Sequence, residues 1–380
     1  MLTEGTDRVS SGIPDLDELL DGLMLGDNVV WVVESTDTVA LLEDNLLREA
    51  VRRKQPCTYV TATGEAAKLR RRLPPEVKIL DARPGKPNAD PTTLETTIVE
   101  GSRGPVPACV VFDDLGTFAT RWRADRAVAF FSRVCPRLFD LGALAYWRAP
   151  RKELSRSALD RITQVTQCVL ELGTDHLRVV KSEGREARVQ GSLLRVTVGH
   201  GTMSLESQLG LGRLGRGLER IRHERNLTQT DLARMGKVTP SAISQAEAGR
   251  RGLSLDTLLL LSERLGVTLD ELLSGATAPD YVLARRPRGF SGSKRALHND
   301  PRTGLRSYLV RLGPGESGTA EEVHKDAELV LVASGLVQVT VGADTPVMRA
   351  GDAVLATKAP VSGWRNLTGD TAMLFVVLRD

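Results

Sequence analysis

The sequence is poor in cysteine and histidine and contains no long uninterrupted apolar run. Its 380 residues include four cysteines and five histidines. The cysteines (Cys57, Cys109, Cys135 and Cys168) are too far apart for a C-x-x-C pair, which predicts reduced thiols in a cytoplasmic protein. No run reaches about 18 apolar residues, so no membrane span is expected. The polar start MLTEGTDRVSSG lacks the pattern of a secretory signal.

Charge is distributed unevenly along a chain of ordinary globular composition. Hydrophobic residues make up 41% and charged residues 26%, and the length predicts two or three domains. The net charge of +3 does not by itself indicate a nucleic-acid partner. Residues 281–311 hold eight basic residues and one acid, whereas residues 312–380 hold five basic residues and nine acids. The basic run fits either a solvated linker with a first strand or a phosphate-facing surface.

Residues 1–206 alternate apolar strand patterns with helical patterns. CTYVTA, VKILDA, ACVVFDD, LGALAYW and QCVLEL are typical of buried strands, and RADRAVAFFSRVCPRLFDLG is typical of an amphipathic helix that ends at a glycine. A final meander, HLRVVKS and ARVQGSLLRVTVGHG, follows. Strands that alternate with helices predict an α/β domain with a mainly parallel sheet.

The opening SGIPDLDELLDG, followed by the strand NVVWVV, resembles the entry of RecA-like ATPases of the KaiC branch. In that family a Gly-rich loop with a lysine and a hydroxyl residue follows the strand and binds phosphate. Here the loop reads Glu34-Ser35-Thr36-Asp37-Thr38, and Val39 and Ala40 occupy the lysine and hydroxyl positions. Phosphate binding needs inward N–H groups and a cation, whereas Glu34 and Asp37 would repel it. The sequence therefore predicts a degenerate nucleotide site.

VVFDD resembles the Walker B strand of the same family, in which Asp113 and Asp114 would hold a magnesium ion. Without a phosphate loop these carboxylates have no bound phosphate to complement. We expect them to cap the end of the strand. We also expect Asp37 to stabilise the start of the next helix, because a carboxylate suits the positive end of the helix dipole. Nucleotide binding by another route remains an alternative.

Residues 209–275 change to five short helical patterns separated by turn signals. TQTDLARMGKVTPSAISQAEAG closely resembles the helix-turn-helix of the phage-repressor (Xre/Cro) family. Thr228 is placed to cap the first helix of the motif with Asp231 three residues on, and Thr239 to cap the second, with Pro240 at its first position. One position departs from the family: the turn glycine, Gly236, sits one place early and leaves Lys237 at the usual glycine position, so the turn is made either by a non-glycine residue or in a different way.

The resemblance predicts that the second helix of the motif enters the major groove of DNA. The residues expected to face base edges are Thr239, Ser241, Ser244 and Gln245, because glutamine pairs with adenine and hydroxyls serve either base pair. The residues expected to contact phosphate are Gln229, Arg216, Arg220, Arg222, Arg250 and Arg251. A helical bundle that binds protein instead is the alternative.

The last segment is rich in strand patterns punctuated by glycine and proline, which predicts a small β-barrel. Residues 276–306 are expected to hold the basic linker and the first barrel strand. Residues 307–380 resemble the cupin barrel often fused to Xre domains: His324 and Glu328 match metal ligands of that family, whereas Glu322 and Ser362 replace ligand histidines. Glu322 could serve as a third ligand, but the lost histidines argue against tight metal binding. We therefore expect either a metal-free pocket that binds a small effector or a purely structural dimerisation barrel.

Together these patterns predict a multidomain protein: a RecA-like α/β domain, an all-α helix-turn-helix bundle and an all-β cupin barrel. We expect a cytoplasmic regulator of transcription that binds double-stranded DNA as a homodimer or higher oligomer. We expect no catalysis and no cofactor, with the two enzyme-like domains serving assembly and effector sensing. The alternatives are an ATP-binding KaiC-like switch that gates DNA binding and a metal-dependent cupin enzyme.

Overall fold

The computed structural model describes residues 8–34, 38–185, 189–199, 202–207, 209–273, 282–285, 290, 292–300, 303–320 and 327–379. Two compact units divide the chain, one spanning Asp7–Tyr281 and the other Val282–Asp380. The first unit contains an α/β part followed by a helical part, and the second is a barrel of antiparallel strands.

Most α/β elements lie where the sequence predicts them. The strands are Arg8–Val9 (β1), Leu23–Met24 (β2), Asn28–Val33 (β3), Cys57–Thr61 (β4), Lys78–Asp81 (β5), Cys109–Phe112 (β6), Leu144–Pro150 (β7), Cys168–Leu172 (β8), His176–Ser182 (β9), Leu193–Gly199 (β10) and Thr202–Ser207 (β11). The helices are Pro14–Leu20 (α1), Val39–Arg52 (α2), Ala66–Arg72 (α3), Pro91–Gly101 (α4), Leu115–Trp122 (α5), Ala124–Leu141 (α6) and Arg156–Val165 (α7), with a 3-10 turn at Pro87–Ala89. Gly142, in the left-handed conformation, ends α6 as predicted.

The main sheet has the strand order β11-β10-β9-β8-β3-β7-β6-β4-β5. Strand β3 lies between β7 and β8 and runs parallel to both. The Walker B-like strand β6 pairs with the far side of β7, which is the RecA-like arrangement. The predicted meander forms β9, β10 and β11, which extend the sheet in antiparallel register. The predicted RecA-like fold is thus confirmed.

Strand β3 is apolar after Asn28 because both of its faces are covered. Val29, Trp31 and Val33 point into the core on one face of the sheet, together with α2. Val30 and Val32 point into the core on the other face. A strand buried on both sides is a near-continuous apolar run, as NVVWVV is.

The helical part begins directly after the sheet. Its helices are Leu209–Glu224 (α8), Gln229–Gly236 (α9), Pro240–Glu247 (α10), Leu255–Leu265 (α11) and Leu269–Leu273 (α12). Leu218, Leu232, Ile243 and Leu261 contribute to its core. Five helices in this segment match the five predicted patterns.

The second unit folds as two antiparallel sheets with a shared core. The strands are Lys294–Asp300 (β12), Leu305–Leu312 (β13), Ser317–Thr319 (β14), Ala327–Ser334 (β15), Leu336–Val341 (β16), Val347–Arg349 (β17), Ala353–Ala356 (β18), Val361–Asn366 (β19) and Ala372–Arg379 (β20). The sheet orders are β12-β13-β20-β15-β18 and β14-β19-β16-β17. Val330, Val339 and Trp364 lie in the core between them, which confirms the all-β prediction.

Candidate nucleic-acid interface

Helices α9 and α10 form a helix-turn-helix whose ends are fixed by side-chain caps. Thr228 and Asp231 make the predicted capping box: the Asp231 amide donates to Thr228 Oγ1 (3.2 Å), and the Thr228 amide donates to Asp231 Oδ2 (2.9 Å). Helix α10 starts at Pro240 after Thr239, whose Oγ1 accepts from the Ala242 amide (3.1 Å). These caps satisfy the donors that helix starts leave open.

The turn between α9 and α10 uses a lysine in a conformation that favours glycine. Lys237 has φ 53° and ψ 39° and ends α9. Gly236 stays helical and is buried against Thr257 and Leu261, where an added Cβ would lie 3.2–3.3 Å from their side chains. The structure therefore keeps glycine where packing is tight, and Lys237 makes the left-handed turn, which confirms the prediction of a non-glycine turn.

Helix α10 has one buried and one exposed side. Ile243 and Ala246 are buried in the helical core. The four predicted base-facing residues are all exposed, and they are Thr239, Ser241, Ser244 and Gln245. Because residues three and four positions apart share a helix face, Ser241, Ser244 and Gln245 form one surface.

Glu247, at the end of α10, is a buried carboxylate with two donor side chains from neighbouring helices. It is 7% exposed. Arg222 of α8 donates from Nε to Oε1 (2.7 Å) and from Nη2 to Oε2 (3.2 Å), and Gln229 of α9 donates to Oε2 (2.7 Å). The bond to Glu247 raises the pKa of Arg222. Two residues predicted to contact phosphate, Arg222 and Gln229, thus tie α8, α9 and α10 together.

Arg216 and Arg220 of α8, also predicted to contact phosphate, make intramolecular bonds. Arg216 donates to the Gln190 and Gly212 carbonyl oxygens. Burial, with the charges of Arg178 and Arg213 nearby, lowers the pKa of Arg216 to about 10. Arg220 donates to the Glu224 carboxylate (3.0–3.1 Å) and to the Glu271 carbonyl oxygen. The structure thus uses Arg216 to join α8 to the loop before β10.

Arg250 and Arg251 follow α10 and are both exposed. Their amides donate to the Gln245 carbonyl oxygen (2.8 and 3.3 Å). This pairing closes the helix end and holds both residues next to the exposed surface of Ser241, Ser244 and Gln245. Of the predicted phosphate contacts, these two side chains are the most accessible to a ligand.

At the start of α2, the position that holds the lysine in the family is packed into the apolar core. Val39 is 1% exposed and lies in the core on the α2 face of the sheet. Ala40 is half-buried and Glu34 is exposed; Asp37 lies outside the described residues. The N-cap of α2 is Thr38, whose side chain makes no capping bond. A buried valine where the family has its lysine leaves this position without a cation for phosphate.

Asp113 and Asp114 are both occupied by bonds within the protein. Asp113 accepts from Thr61 Oγ1 (2.6 Å), the Ala62 amide (2.7 Å) and Thr63 Oγ1 (3.0 Å). Asp114 is the N-cap of α5 and accepts from the Gly116 and Thr117 amides. The two carboxylates thus join the ends of β4 and β6 and the start of α5, in line with the expected capping role.

A buried charge network near the same edge of the sheet escapes sequence analysis. Glu43 of α2 accepts from Arg148 Nε (2.9 Å) and from the Tyr59 hydroxyl (2.9 Å), with Arg72 3.5 Å away. Burial raises the pKa of Glu43 despite these partners. Glu43 lies one helical turn after Val39, so a structural ion network occupies the neighbourhood of the lost lysine. The residues of this network are far apart in the sequence, so a local sequence pattern does not reveal it.

In the barrel, the predicted pocket is described in part. Glu328 is 3% exposed and accepts from the Val361 amide (3.0 Å). Ser362 is exposed. Glu322 and His324 lie outside the described residues. Among the residues that are described, no group of three or more His, Cys, Asp or Glu is arranged to hold a metal ion.

Within the described ranges, no helix combines the length and the apolar character needed to cross a bilayer.

Comparison with known proteins matches two of the three parts to families. Residues 218–272 match the family described as Helix-turn-helix, and residues 308–378 match the family described as Cupin domain. The HTH-type transcriptional activator BcrR of Enterococcus faecalis is 41% identical over 58 residues, which are 15% of this chain and 28% of that protein. The chain thus spans just over a quarter of that relative. The predicted helix-turn-helix and cupin resemblances are confirmed.

Two solved structures are similar at low identity. A HTH_3 family transcriptional regulator from Vibrio cholerae has 15% identity and a TM-score of 0.21, covering 44% of this chain and 95% of its own. The KaiC-like protein PH0186 from Pyrococcus horikoshii has 18% identity and a TM-score of 0.45, covering 53% of this chain and 99% of its own. The RecA-like assignment therefore rests on the strand order of the sheet.

Proposed function

We propose that this chain regulates transcription by binding specific sequences of double-stranded DNA through α10. The observation that carries this proposal is the exposed surface of Ser241, Ser244 and Gln245, flanked by Arg250 and Arg251. The similar protein BcrR is described as a transcriptional activator, which supports transcription as the process that binding controls. Because its target is chromosomal DNA, we place the protein in the cytoplasm.

The proposed contacts divide into base readout and phosphate anchoring. Gln245 has an amide that can pair with the N6 and N7 atoms of adenine, and the hydroxyls of Ser241 and Ser244 serve either base pair. Thr239 Oγ1 accepts from the Ala242 amide, so its hydroxyl proton and its second oxygen lone pair remain to contact DNA. Arg250 and Arg251 anchor the phosphate backbone, which fixes register without reading sequence.

The other predicted phosphate contacts act indirectly in this proposal. Arg222 and Gln229 fix α10 through Glu247. For Gln229 to reach phosphate it has to leave Glu247, whereas the second donor, Arg222, keeps that carboxylate paired. Arg216 bonds to the Gln190 carbonyl oxygen in the loop before β10, which supports a role in joining α8 to the α/β part.

Neither enzyme-like part has a catalytic role in the proposal. In the α/β part, Val39 is buried where a phosphate-binding lysine would be, and Asp113 already accepts three hydrogen bonds. In the barrel, Glu328 is bonded to the Val361 amide, which supports a structural role for one family ligand position. For the barrel we keep the hypothesis that it takes a small-molecule effector without a metal ion, because barrel mouths are natural ligand sites.

The test is the salt dependence of binding to duplex DNA. Each phosphate contact adds about 0.9 to the slope of log K against log salt for B-DNA. Arg250→Ala combined with Arg251→Ala should lower this slope by about 2 and weaken binding to all sequences alike. Arg349→Ala is the matched control, because Arg349 is an exposed arginine of the barrel. An unchanged slope in the double variant contradicts the proposed docking.

A further inference from the structure

A cavity of about 660 Å³ lies between the α/β part and the first helix of the helical part. Its floor is the face of the main sheet opposite α2: Val32 of β3 and Val169 of β8 belong to the core on that face, and Val180 of β9 completes the floor. Its walls include α7 on one side and Glu219 of α8 on the other. The volume of this α7–α8 cavity is within the range of about 300–1,000 Å³ that is usual for small-molecule sites.

Helix α7 has one face toward the core and another toward the α7–α8 cavity. Ala158 and Ile162 are buried in the core. The residues of α7 that line the cavity share a second face, because they are spaced three, four and seven positions apart, and they are Arg156, Leu159, Asp160 and Thr163. The helix therefore presents to the cavity a mixed surface of charged, hydroxyl and apolar side chains.

The floor of the α7–α8 cavity offers apolar surface to a ligand. Val180 is 38% exposed although it belongs to a strand inside the sheet, whereas its neighbour Val179, which points to the opposite face, is fully buried. Leu159 of the α7 wall is partly buried against the core. An apolar floor with a few polar groups at its margin is the usual composition of a ligand pocket.

Four of the five charged residues that line the cavity form two pairs of opposite charge. Arg151, which follows β7, forms an ion pair with Glu171 of β8 (2.7 Å). Arg156 and Asp160 are four positions apart on the lining face of α7, a spacing at which opposite charges attract each other. These four side chains therefore contribute no net charge to the lining.

The fifth charge is the carboxylate of Glu219, which is half-buried. Within the described part of the chain, its side chain makes no hydrogen bond or ion pair. Its negative charge interacts with Arg222 one turn further along α8, but Arg222 is already paired with Glu247. Glu219 is thus the charge of the lining that a ligand can complement.

We propose that the α7–α8 cavity binds a small molecule that carries a cationic amine on an apolar body. The amine lies against Glu219, and the apolar body covers Val180 and Val32. An anionic ligand is disfavoured, because the lining holds three carboxylates and two arginines and a carboxylate in a partly dehydrated cavity repels a second negative charge. The inference goes beyond the proposed function, because binding of this ligand does not require DNA.

A ligand in this cavity contacts both parts of the first unit. The floor and α7 belong to the α/β part, whereas Glu219 belongs to α8, which Arg222 joins to the end of α10. Because a bound ligand stabilises the state in which these elements lie together, hydrogen exchange of the α8 amides should become slower when the cavity is filled.

The test is the binding of three small probes to the full chain, measured by ligand-detected NMR. Hexylammonium, hexanol and hexanoate have the same apolar chain and differ in charge. Hexylammonium should bind about 10-fold more tightly than hexanol, and hexanoate should bind more weakly than either, because Glu219 attracts the first and repels the last. Hexylammonium should also slow hydrogen exchange in α8.

Two variants locate the site. Glu219→Gln should weaken hexylammonium binding by about 10-fold and leave hexanol binding unchanged, since only the charge of the lining is altered. Val180→Lys should abolish hexylammonium binding, because the new ammonium group occupies the cavity, and the exposure of Val180 makes this change tolerable for the fold. The matched control is Glu224→Gln, an exposed acid of α8 outside the lining, which should bind all three probes like the wild type.

Three results overturn the proposal: a wild type that binds none of the probes, hexanoate that binds as tightly as hexylammonium, and an equal effect of Glu219→Gln and Glu224→Gln. DNA retention by the same samples is a separate measurement. A wild type that binds hexylammonium at Glu219 but retains no DNA supports this inference and contradicts only the proposed function.

Discussion

Arg222 and Glu247 form a two-point ion pair that joins α8 to the end of α10, with Nε–Oε1 and Nη2–Oε2 distances of 2.7 and 3.2 Å. Both side chains are largely buried, at 16% and 7% exposure. Close beside this pair, an added Cβ on Gly215 of α8 would lie 2.6 Å from the carbonyl oxygens of Ala246 and Glu247. Helix α10 is thus held by a charge pair and by direct helix–helix contact.

Removing this carboxylate should loosen α10. Glu247→Gln leaves Arg222 partly buried without its counter-charge, so we expect the free energy of unfolding to fall by about 2–3 kcal/mol. Affinity should fall for all DNA sequences alike, because the helix is misplaced and its base-facing residues are unchanged. Denaturant unfolding and DNA titration measure the two effects.

The matched control for this pair is Glu224→Gln. Glu224 pairs with Arg220 on the surface of α8, with side-chain exposures of 53% and 26%. We expect a loss of about 0.5 kcal/mol or less. Equal losses in Glu247→Gln and Glu224→Gln would show that burial does not decide the strength of the first pair.

The capping box of α9 should contribute to stability in a pH-dependent way. Bonds from Thr228 lower the pKa of Asp231, so its stabilising effect is present above the ordinary carboxyl pKa and is lost as the pH falls through the lowered value. Thr228→Ala should cost about 1 kcal/mol at neutral pH. Thermal unfolding measured from neutral to acid pH should show that the stability difference between variant and wild type becomes smaller as Asp231 is protonated. A stability difference that stays constant with pH would argue against the capping box.

Asp113 should contribute to the free energy of unfolding and should have no role in nucleotide binding. It accepts three hydrogen bonds from the residues that end β4, so Asp113→Ala should cost about 3 kcal/mol or more. Titration of the wild type with labelled ATP should show no binding in the micromolar range. Micromolar affinity that Asp113→Ala abolishes would favour the ATP-binding switch over the proposed regulator.

Arg216 should help to hold α8 against the α/β part without contributing to the salt dependence of DNA binding. Arg216→Ala removes the bond to the Gln190 carbonyl oxygen, so hydrogen exchange at the start of α8 should become faster while the slope of DNA binding against salt stays unchanged. Gly191→Ala tests the same junction, because Gly191 has φ +76° and an added Cβ would lie 0.8 Å from Arg216 Nη1. A slope reduced by about 1 in Arg216→Ala would restore the phosphate contact expected from sequence.

Much of the fold can be predicted from the sequence, because the local helix and strand patterns agree with the apolar character of the buried strands. Strand β3 and helix α6 with its terminal Gly142 are found where their patterns place them. Strand β19 was not predicted, since VSGWRN has polar residues and a glycine among few apolar ones. Its position is decided by long-range pairing with β14 and β16, which a local pattern does not contain.

The exposed residues of the candidate site can be predicted from the sequence, whereas the partners of its basic side chains cannot, for a physical reason. Exposed residues of α10 follow from helix periodicity, so Ser241, Ser244 and Gln245 were placed correctly on its surface. Long basic side chains reach partners far along the sequence, and Arg222 bonds to Glu247 across 25 positions. Which of the basic residues near the motif have a partner within the protein depends on the carboxylates and carbonyl groups within their reach, and sequence spacing does not reveal these partners.

Sequence readout by α10 is tested most directly by sequencing genomic fragments retained by the purified full chain at one stated salt concentration. The proposed function predicts that the wild type enriches a shared motif, and that Gln245→Ala enriches fragments with relaxed preference at one adenine position in each half-site. Arg250→Ala with Arg251→Ala should retain fewer fragments but the same motif. Equal retention of all fragments by the wild type, or a motif unchanged by Gln245→Ala, would contradict base reading by this helix.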